Sequence, residues 1–569
     1  MTSDKDLLVI DCVKKGYFPA NPLTNKALRK EIDDGDEFKQ LMLKTKSFKK
    51  LYDQNLRLTN ITPFFVDVNL GKPPKNSKIE DIYELPTGAT VKIYKDKQGT
   101  HFVYHIEIPE ENIGFGELYD VQKHTETYKK TGKIHHKYVD RWYKGHGILE
   151  HLMQDEKILE MNVNPPAYTT SIRIVHSEYQ ECTSNIYASD EFLNFMLTRL
   201  KTKTGRPLNK SQPQIDGELY VNKTKARVAG IISPFSVFGT GFSIRKHREK
   251  PWTLPLFINN KTVNSLFAGF ISLVISHGRT FLTAGPRGSG KTSLLGSLIL
   301  EILQRYRILT IEDTQELPIE SYKELGYDIL PLKVRSALIE ESLEMPFDKG
   351  LRTSLRLGDS ALIVGEVRSK EAKILYEAMR VGAMSNVVAG TIHADSPYGV
   401  YDRVVNDLGV PKGSFKATDL IIIQNLIKDP SGIGRKRRVV QVTEVKKNWE
   451  DKPQFQDMFK YDPKTDRLEP TDYLLKGKSV ILNHVLERTE GYDGYDALLK
   501  DMYLRAWAKE VMVKIADGNI EKLEAKYVST QNNLYMKLVK DVKPFEKDEN
   551  IEIFKQAYLQ KMKRVLKSN

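Results

Sequence analysis

The 569-residue chain is long enough for about three or four domains, and 40% hydrophobic with 28% charged residues and a negative mean hydropathy marks a soluble globular protein. Two cysteines, Cys12 and Cys182, exclude a disulfide framework and a four-thiolate zinc site. The net charge of +13 admits nucleic acid, anionic lipid or an acidic protein as partner, but basic residues are spread along the chain and the densest cluster, Arg435-Lys436-Arg437-Arg438, is short, so a lysine-rich solvated surface is the simpler reading.

The N-terminus has neither the apolar segment nor the cleavage site of a signal peptide. Over residues 1 to 120, Lys72-Pro-Pro-Lys-Asn-Ser-Lys78 reads as a loop, and Ala89–Tyr94 with Phe102–Ile108 predicts a hairpin. Residues 121 to 245 read as mixed α/β, with strands at Tyr168–His176 and Ala226–Ser233 and a helix at Asp190–Lys201. The basic run Arg245 to Lys250 before Pro251 marks a linker, placed at 246–256. Leu266 to Ile275 is the longest apolar stretch, too short to span a bilayer, and a cytoplasmic location is expected.

From 257 to 445 short β-branched runs alternate with helical segments. The strand candidates are Phe281–Ala284, Ile308–Ile311, Asp328–Leu332, Ala361–Val364, Asn386–Ile392, Leu420–Gln424 and Arg438–Thr443; helices are expected at Ser293–Ile302 and Lys370–Met379. Apolar strands without alternation belong in a mainly parallel sheet covered on both faces, with ligands beyond the carboxyl ends of the strands. Residues 446 to 569 are polar and mostly helical, with helices at Val480–Glu487, Ala497–Ile515 and Ile551–Leu566. No internal repeat or low-complexity tract is present.

Four motifs fall at predicted strand ends. Gly285-Pro-Arg-Gly288-Ser289-Gly290-Lys291-Thr292 fits a phosphate loop between a strand and a helix. Its glycines let backbone N–H groups face phosphates at a helix N-terminus, Lys291 reaches the β and γ oxygens, and the Thr292 hydroxyl suits Mg²⁺. Glu312-Asp313 ends the next strand, where a carboxylate orients or deprotonates an attacking water. Glu366, after Ala361–Val364, supplies a carboxylate near Mg²⁺, with Glu in place of the commoner Asp. His393, after Gly390-Thr391-Ile392, is a candidate γ-phosphate sensor. Singly, these residues have plain structural readings: an acidic helix start, a Glu366–Arg368 ion pair, a packed histidine. Their common sheet edge beside a phosphate loop favours catalysis. The His-rich stretch 135–151 misses metalloprotease spacing at His146, Glu150 and His151 and reads as surface.

The order of phosphate loop, Ile311-Glu-Asp-Thr-Gln-Glu-Leu317, Val364-Gly-Glu-Val-Arg368 and Gly390-Thr-Ile-His-Ala394 resembles the type II/IV secretion ATPases, whose Walker A, Asp, Walker B and His boxes these would be. The resemblance covers roughly residues 150 to 445. The stretch Glu377 to Val388 resembles the archaeal members, which assemble type IV pili, archaella or related systems, and the tetracysteine motif of bacterial pilus and type II secretion ATPases is absent. The resemblance implies a RecA-like core after an α/β N-terminal domain, with a helical C-terminal extension, and a homo-hexamer using ATP and Mg²⁺. It implies Glu312 as general base, Glu366 as the Mg²⁺-linked carboxylate, His393 as sensor, Asp313 at the nucleotide, and Arg227 and Arg245 as arginine fingers. A polytopic membrane platform would be the partner at the cytoplasmic face of the membrane, with pilin-like or secreted subunits engaged indirectly. The alternative is a nucleic-acid translocase or conjugation motor, for which the sequence has no recognisable nucleic-acid module.

Overall fold

The computed structural model describes residues 68–567, apart from 76, 113–120, 122–123, 125–126, 129, 134–135, 223, 335–344, 359, 370, 383–386 and 431–433. Cys12, most of the 1–120 segment and part of the 377–388 stretch therefore lie outside the described residues. The chain divides into two compact units, Met1–Arg248 and Glu249–Asn569.

The first unit is built on a ten-stranded sheet. The expected hairpin is present as Thr90–Lys95 and Phe102–Glu107, and Lys78–Glu84 joins it as a third strand. The helix Asp190–Thr204 runs past its predicted end; Ser189 caps it by accepting from Phe192 N, and Gly205 closes it in the left-handed conformation at φ 65. One expectation fails here: the 135–151 stretch is not surface. Tyr138, Val139, Trp142 and His151 are buried, because this segment packs its apolar residues into the unit's core. His151 lies 2.7 Å from Thr87 Oγ1 and 3.4 Å from Glu110, which also pairs with Arg141. Burial opposes ionisation of Glu110, but His151 and Arg141 hold its carboxyl well below the usual range.

The second unit contains helix α1 (Ser265–Ser276), strand β1 (Thr280–Ala284), α2 (Lys291–Ile299), β2 (Ile308–Glu312), β3 (Ile329–Lys333), β4 (Ala361–Val364), α3 (Glu371–Gly382), β5 (Val388–Ile392), β6 (Leu420–Lys428), β7 (Arg435–Val445), β8 (Phe455–Asp462) and β9 (Arg467–Pro470). The sheet order is β3–β2–β4–β5–β1–β6–β7–β8–β9. β3 to β6 are parallel and the remaining pairs antiparallel. Alternate residues divide between two cores: Phe281, Ile308, Ile363 and Ile422 on one face, Leu282, Ile311, Val364 and Ile423 on the other. Both faces are covered, which is why these strands read as unbroken apolar runs.

The tail is mostly helical, but it opens with β8 and β9, which extend the sheet. Its longest helix, α4 (Tyr495–Ala516), packs on α1. The apolar stretch in α1 is thus a core helix, and no helix among the described residues is long and apolar enough to cross a membrane. At Gly269 an added Cβ would stand 2.4 Å from the Met502 carbonyl oxygen and 2.6 Å from Ala506 N, so the helices meet backbone to backbone. Gly413, with nothing within 4 Å of such a Cβ, is the control. Gly269→Ala is expected to cost about 1–3 kcal/mol in denaturant unfolding, whereas Gly413→Ala is neutral or stabilising by about 0.4–1 kcal/mol.

Candidate active site

The parallel ladders end in register. Ala284 pairs with Ile392 and Ile423, Ile311 with Val364, and Val364 with Gly390. The residues that follow, Gly285, Glu312, Gly365-Glu366, His393 and Gln424, are therefore delivered to one edge.

At that edge the loop turns through Gly288 and Gly290 at φ 79 and 98, positions that favour glycine. Lys291 Nζ donates to the carbonyls of Gly285 at 2.9 Å and Pro286 at 3.0 Å and lies 3.2 Å from His393 Nδ1. His393 Nε2 lies 3.0 Å from Glu366 Oε1. Arg368 pairs with the second Glu366 oxygen and donates to Asp313 Oδ2 at 3.0 Å. A polar chain thus runs Lys291–His393–Glu366–Arg368–Asp313 across the ends of β1, β5, β4 and β2. Toward Lys291, whose ammonium only donates, Nδ1 of His393 can act only as acceptor, and toward the Gly285 carbonyl at 3.3 Å it can act only as donor. Burial and the Lys291 charge lower the His393 pKa against an opposing pull from Glu366, which favours the neutral imidazole.

Glu312 is buried and anchored differently. Its Oε1 accepts from the backbone N–H of Glu316 at 3.0 Å and Leu317 at 3.2 Å. A Cβ on Gly365 would stand 2.8 Å from Glu312 Cγ, so Gly365 makes room for that side chain. Thr391 donates to the Gly365 carbonyl at 2.5 Å and fixes this crossing. The Glu366–Arg368 ion pair exists, but it sits inside the chain of contacts rather than instead of it.

Arg227 and Arg245 are direct cross-strand partners in the first unit. Arg227 holds Asp216 at 2.7 and 3.3 Å, and Arg245 holds Glu160 at 3.2 and 3.3 Å. They form their own ion pairs there. The solvated reading of Arg435 to Arg438 fails in part: Arg438 is buried and chelates Asp466 at 2.8 and 2.9 Å, while Arg437 donates to the Gly288 carbonyl at 3.0 Å. Sequence reasoning missed Arg437, and also Gln424, which β6 places against Gly285 and Gly290. The basic cluster and the polar end of the Leu420–Gln424 run were the available signals.

A family model described as "Type II/IV secretion system protein" matches residues 171–457, from the first unit's sheet into β8. The chain belongs to that family. Its P-loop core lies within the second unit. An uncharacterized protein of Methanocaldococcus jannaschii is 27% identical over 376 residues, which cover 65% of this chain and 64% of that protein. The type IV secretion system protein PtlH of Bordetella pertussis is 30% identical over 185 residues, 30% of this chain and 52% of PtlH. The X-ray structure of the Legionella pneumophila ATPase DotB superimposes with a TM-score of 0.39 at 17% identity, covering 62% of this secretion-family chain and 90% of DotB. The chain thus spans a little under two thirds of the archaeal relative it matches.

The contacts of Arg368 make a titration prediction for this family member. Burial raises the Glu366 pKa, but the Arg368 hydrogen bond and the charges of Arg368, His393 and Lys291 bring it below the ordinary carboxylate value. A lowered folded-state pKa stabilises the protein above the unfolded carboxylate pKa, and that contribution is lost as pH falls through the folded value. In Arg368→Ala the Glu366 carboxyl should titrate at higher pH than in the wild type, as read by carboxyl-carbon NMR, and the acid side of the stability profile should flatten. An unchanged titration would show that Arg368 does not control this carboxylate.

Proposed function

We propose that this chain hydrolyses ATP as the motor of a secretion or pilus-type assembly machine. The observation that carries the reading is the polar chain from Lys291 to Asp313 at the strand edge, with Glu312 anchored beside it. Lys291 would exchange its carbonyl partners for the β and γ oxygens of ATP. Backbone N–H groups of Gly288, Ser289 and Gly290 would cradle the phosphates. Glu312, held through one oxygen by two backbone donors, is oriented to take a proton from water. His393 would report on the γ-phosphate, because its two nitrogens link the lysine that binds phosphate to the Glu366 carboxylate.

The Thr292 hydroxyl and Glu366 would supply oxygen donors suited to a hard cation, with Asp313, linked to Glu366 through Arg368, one contact further out. With both Glu366 oxygens engaged by His393 and Arg368, a contact to Mg²⁺ would run through water. Mg²⁺ would supply charge neutralisation at the phosphates.

Family membership supports the mechanical role. The protein would act as a homo-hexamer at the cytoplasmic face of the membrane, on a polytopic platform that moves pilin-like or secreted subunits. Arg227 and Arg245 would serve as fingers by leaving Asp216 and Glu160 for a bound nucleotide, which couples hydrolysis to domain closure.

Lys291→Ala should abolish nucleotide binding, measured with a fluorescent ATP analogue. Glu312→Gln should retain binding and lose turnover by about 10²–10⁴-fold in phosphate release. Analytical ultracentrifugation with ATP should show six copies. Full turnover in the Lys291 variant would overturn the site, a persistent monomer would overturn the ring, and turnover stimulated by DNA alone would make the chain a nucleic-acid motor.

A further inference from the structure

β1 has two neighbours. β5 brings His393 to one flank of the phosphate loop, and β6 with β7 brings Gln424 and Arg437 to the other. Gln424 is completely buried, and neither its Oε1 nor its Nε2 has a hydrogen-bond partner among the described residues. Its backbone oxygen would stand 2.1 Å from a Cβ on Gly285, and its Nε2 3.0 Å from a Cβ on Gly290. The side chain therefore lies directly against the loop. Arg437 comes over the same glycine, with Cδ 3.5 Å from the Gly290 Cβ position, and is tied to the loop by its bond to the Gly288 carbonyl.

These two groups are out of balance with their surroundings. A buried amide without partners and a half-buried cation without a counter-ion each carry a desolvation cost that a bound group would relieve. Among the described residues no carboxylate pairs with Arg437, while its neighbours Lys436 and Arg438 both reach Asp466, at 3.7 and 2.8 Å. Burial lowers the Arg437 pKa with nothing opposing it. A guanidinium in that setting matches an anion held by the loop.

We propose that Arg437, supported by Gln424, is a nucleotide-binding residue that contacts the α- and β-phosphates, so that it binds ADP and ATP alike. The assignment rests on the reading of the loop as the ATP site. It follows from the side of β1 involved: Glu366 and His393 mark where the γ-phosphate lies, and Arg437 stands on the opposite flank. The same subunit supplies this arginine, unlike one delivered by a moving domain. Gln424 fills the space beneath Gly290 and offers a donor to the loop.

The test uses full-length protein and fluorescent ADP and ATP analogues. Arg437→Gln keeps a donor for the Gly288 carbonyl and removes the charge; it should weaken both nucleotides about tenfold. Arg437→Lys, which keeps the charge, should stay within about threefold in affinity. The salt dependence of ADP binding should fall in the Gln variant and persist in the Lys variant. Wild-type affinity in Arg437→Gln would reduce the residue to a loop tether and overturn the proposal. A loss confined to ATP would overturn it too, by moving the contact to the γ-phosphate. Lys291→Ala separates the two levels: if it still binds ADP, the loop is not the site, whereas if it loses ADP and Arg437→Gln does not, only the arginine assignment fails.

Discussion

The site depends on the in-register ending of parallel strands. The parallel ladders of β1, β2, β4, β5 and β6 end along one edge, and Gly285, Glu312, Gly365-Glu366, His393 and Gln424 stand at or just beyond their last parallel pairs, while β6 itself continues beside β7. Lys291, Glu312, Glu366, His393 and Gln424 come together for that reason, although they are spread over more than a hundred positions of the chain. The same geometry sets the glycines. A Cβ on Gly285 would collide with the next strand's backbone, and one on Gly365 with Glu312, so both positions must lack a side chain for the edge to close.

The edge is also electrostatically interlocked. Lys291, His393, Glu366, Arg368 and Asp313 alternate donors and acceptors along it. Burial and the Lys291 charge hold His393 toward the neutral form, while Arg368, His393 and Lys291 hold Glu366 toward the ionised form against its burial. Changing the occupant of the loop would alter the partner of Lys291 and thereby that of His393. This gives a physical route from a bound phosphate to a carboxylate two strands away.

The tail serves the scaffold. β8 and β9 continue the sheet, and α4 lies against α1 so closely that Gly269 has no room for a methyl group. Polar residues are buried with it: Lys509 meets Glu301 at 2.7 Å, and Arg505 meets Asp501 at 3.0 Å. Removing one partner of such a pair costs about 3–5 kcal/mol because the remaining charge is stranded in the core. The Lys509–Glu301 pair ties the tail to the segment just beyond α2, whereas Arg505–Asp501 lies within α4.

What the sequence determined by itself was local and periodic. The glycine-rich turn with Lys291-Thr292, the unbroken apolar runs of β1, β2, β4, β5 and β6, and the acidic or histidine residue after several of them depend on backbone preference and burial, and both are readable along the chain. Tertiary structure decided whatever depends on a distant partner. His151 looked like surface and is buried, because its partner Glu110 is 41 positions away and reached only through packing. The cluster Arg435 to Arg438 looked solvated, yet Arg438 finds Asp466 and Arg437 finds the phosphate loop, 149 positions distant. A side chain's charge is written in the sequence, but whether water or protein answers that charge is settled only when the strands are paired.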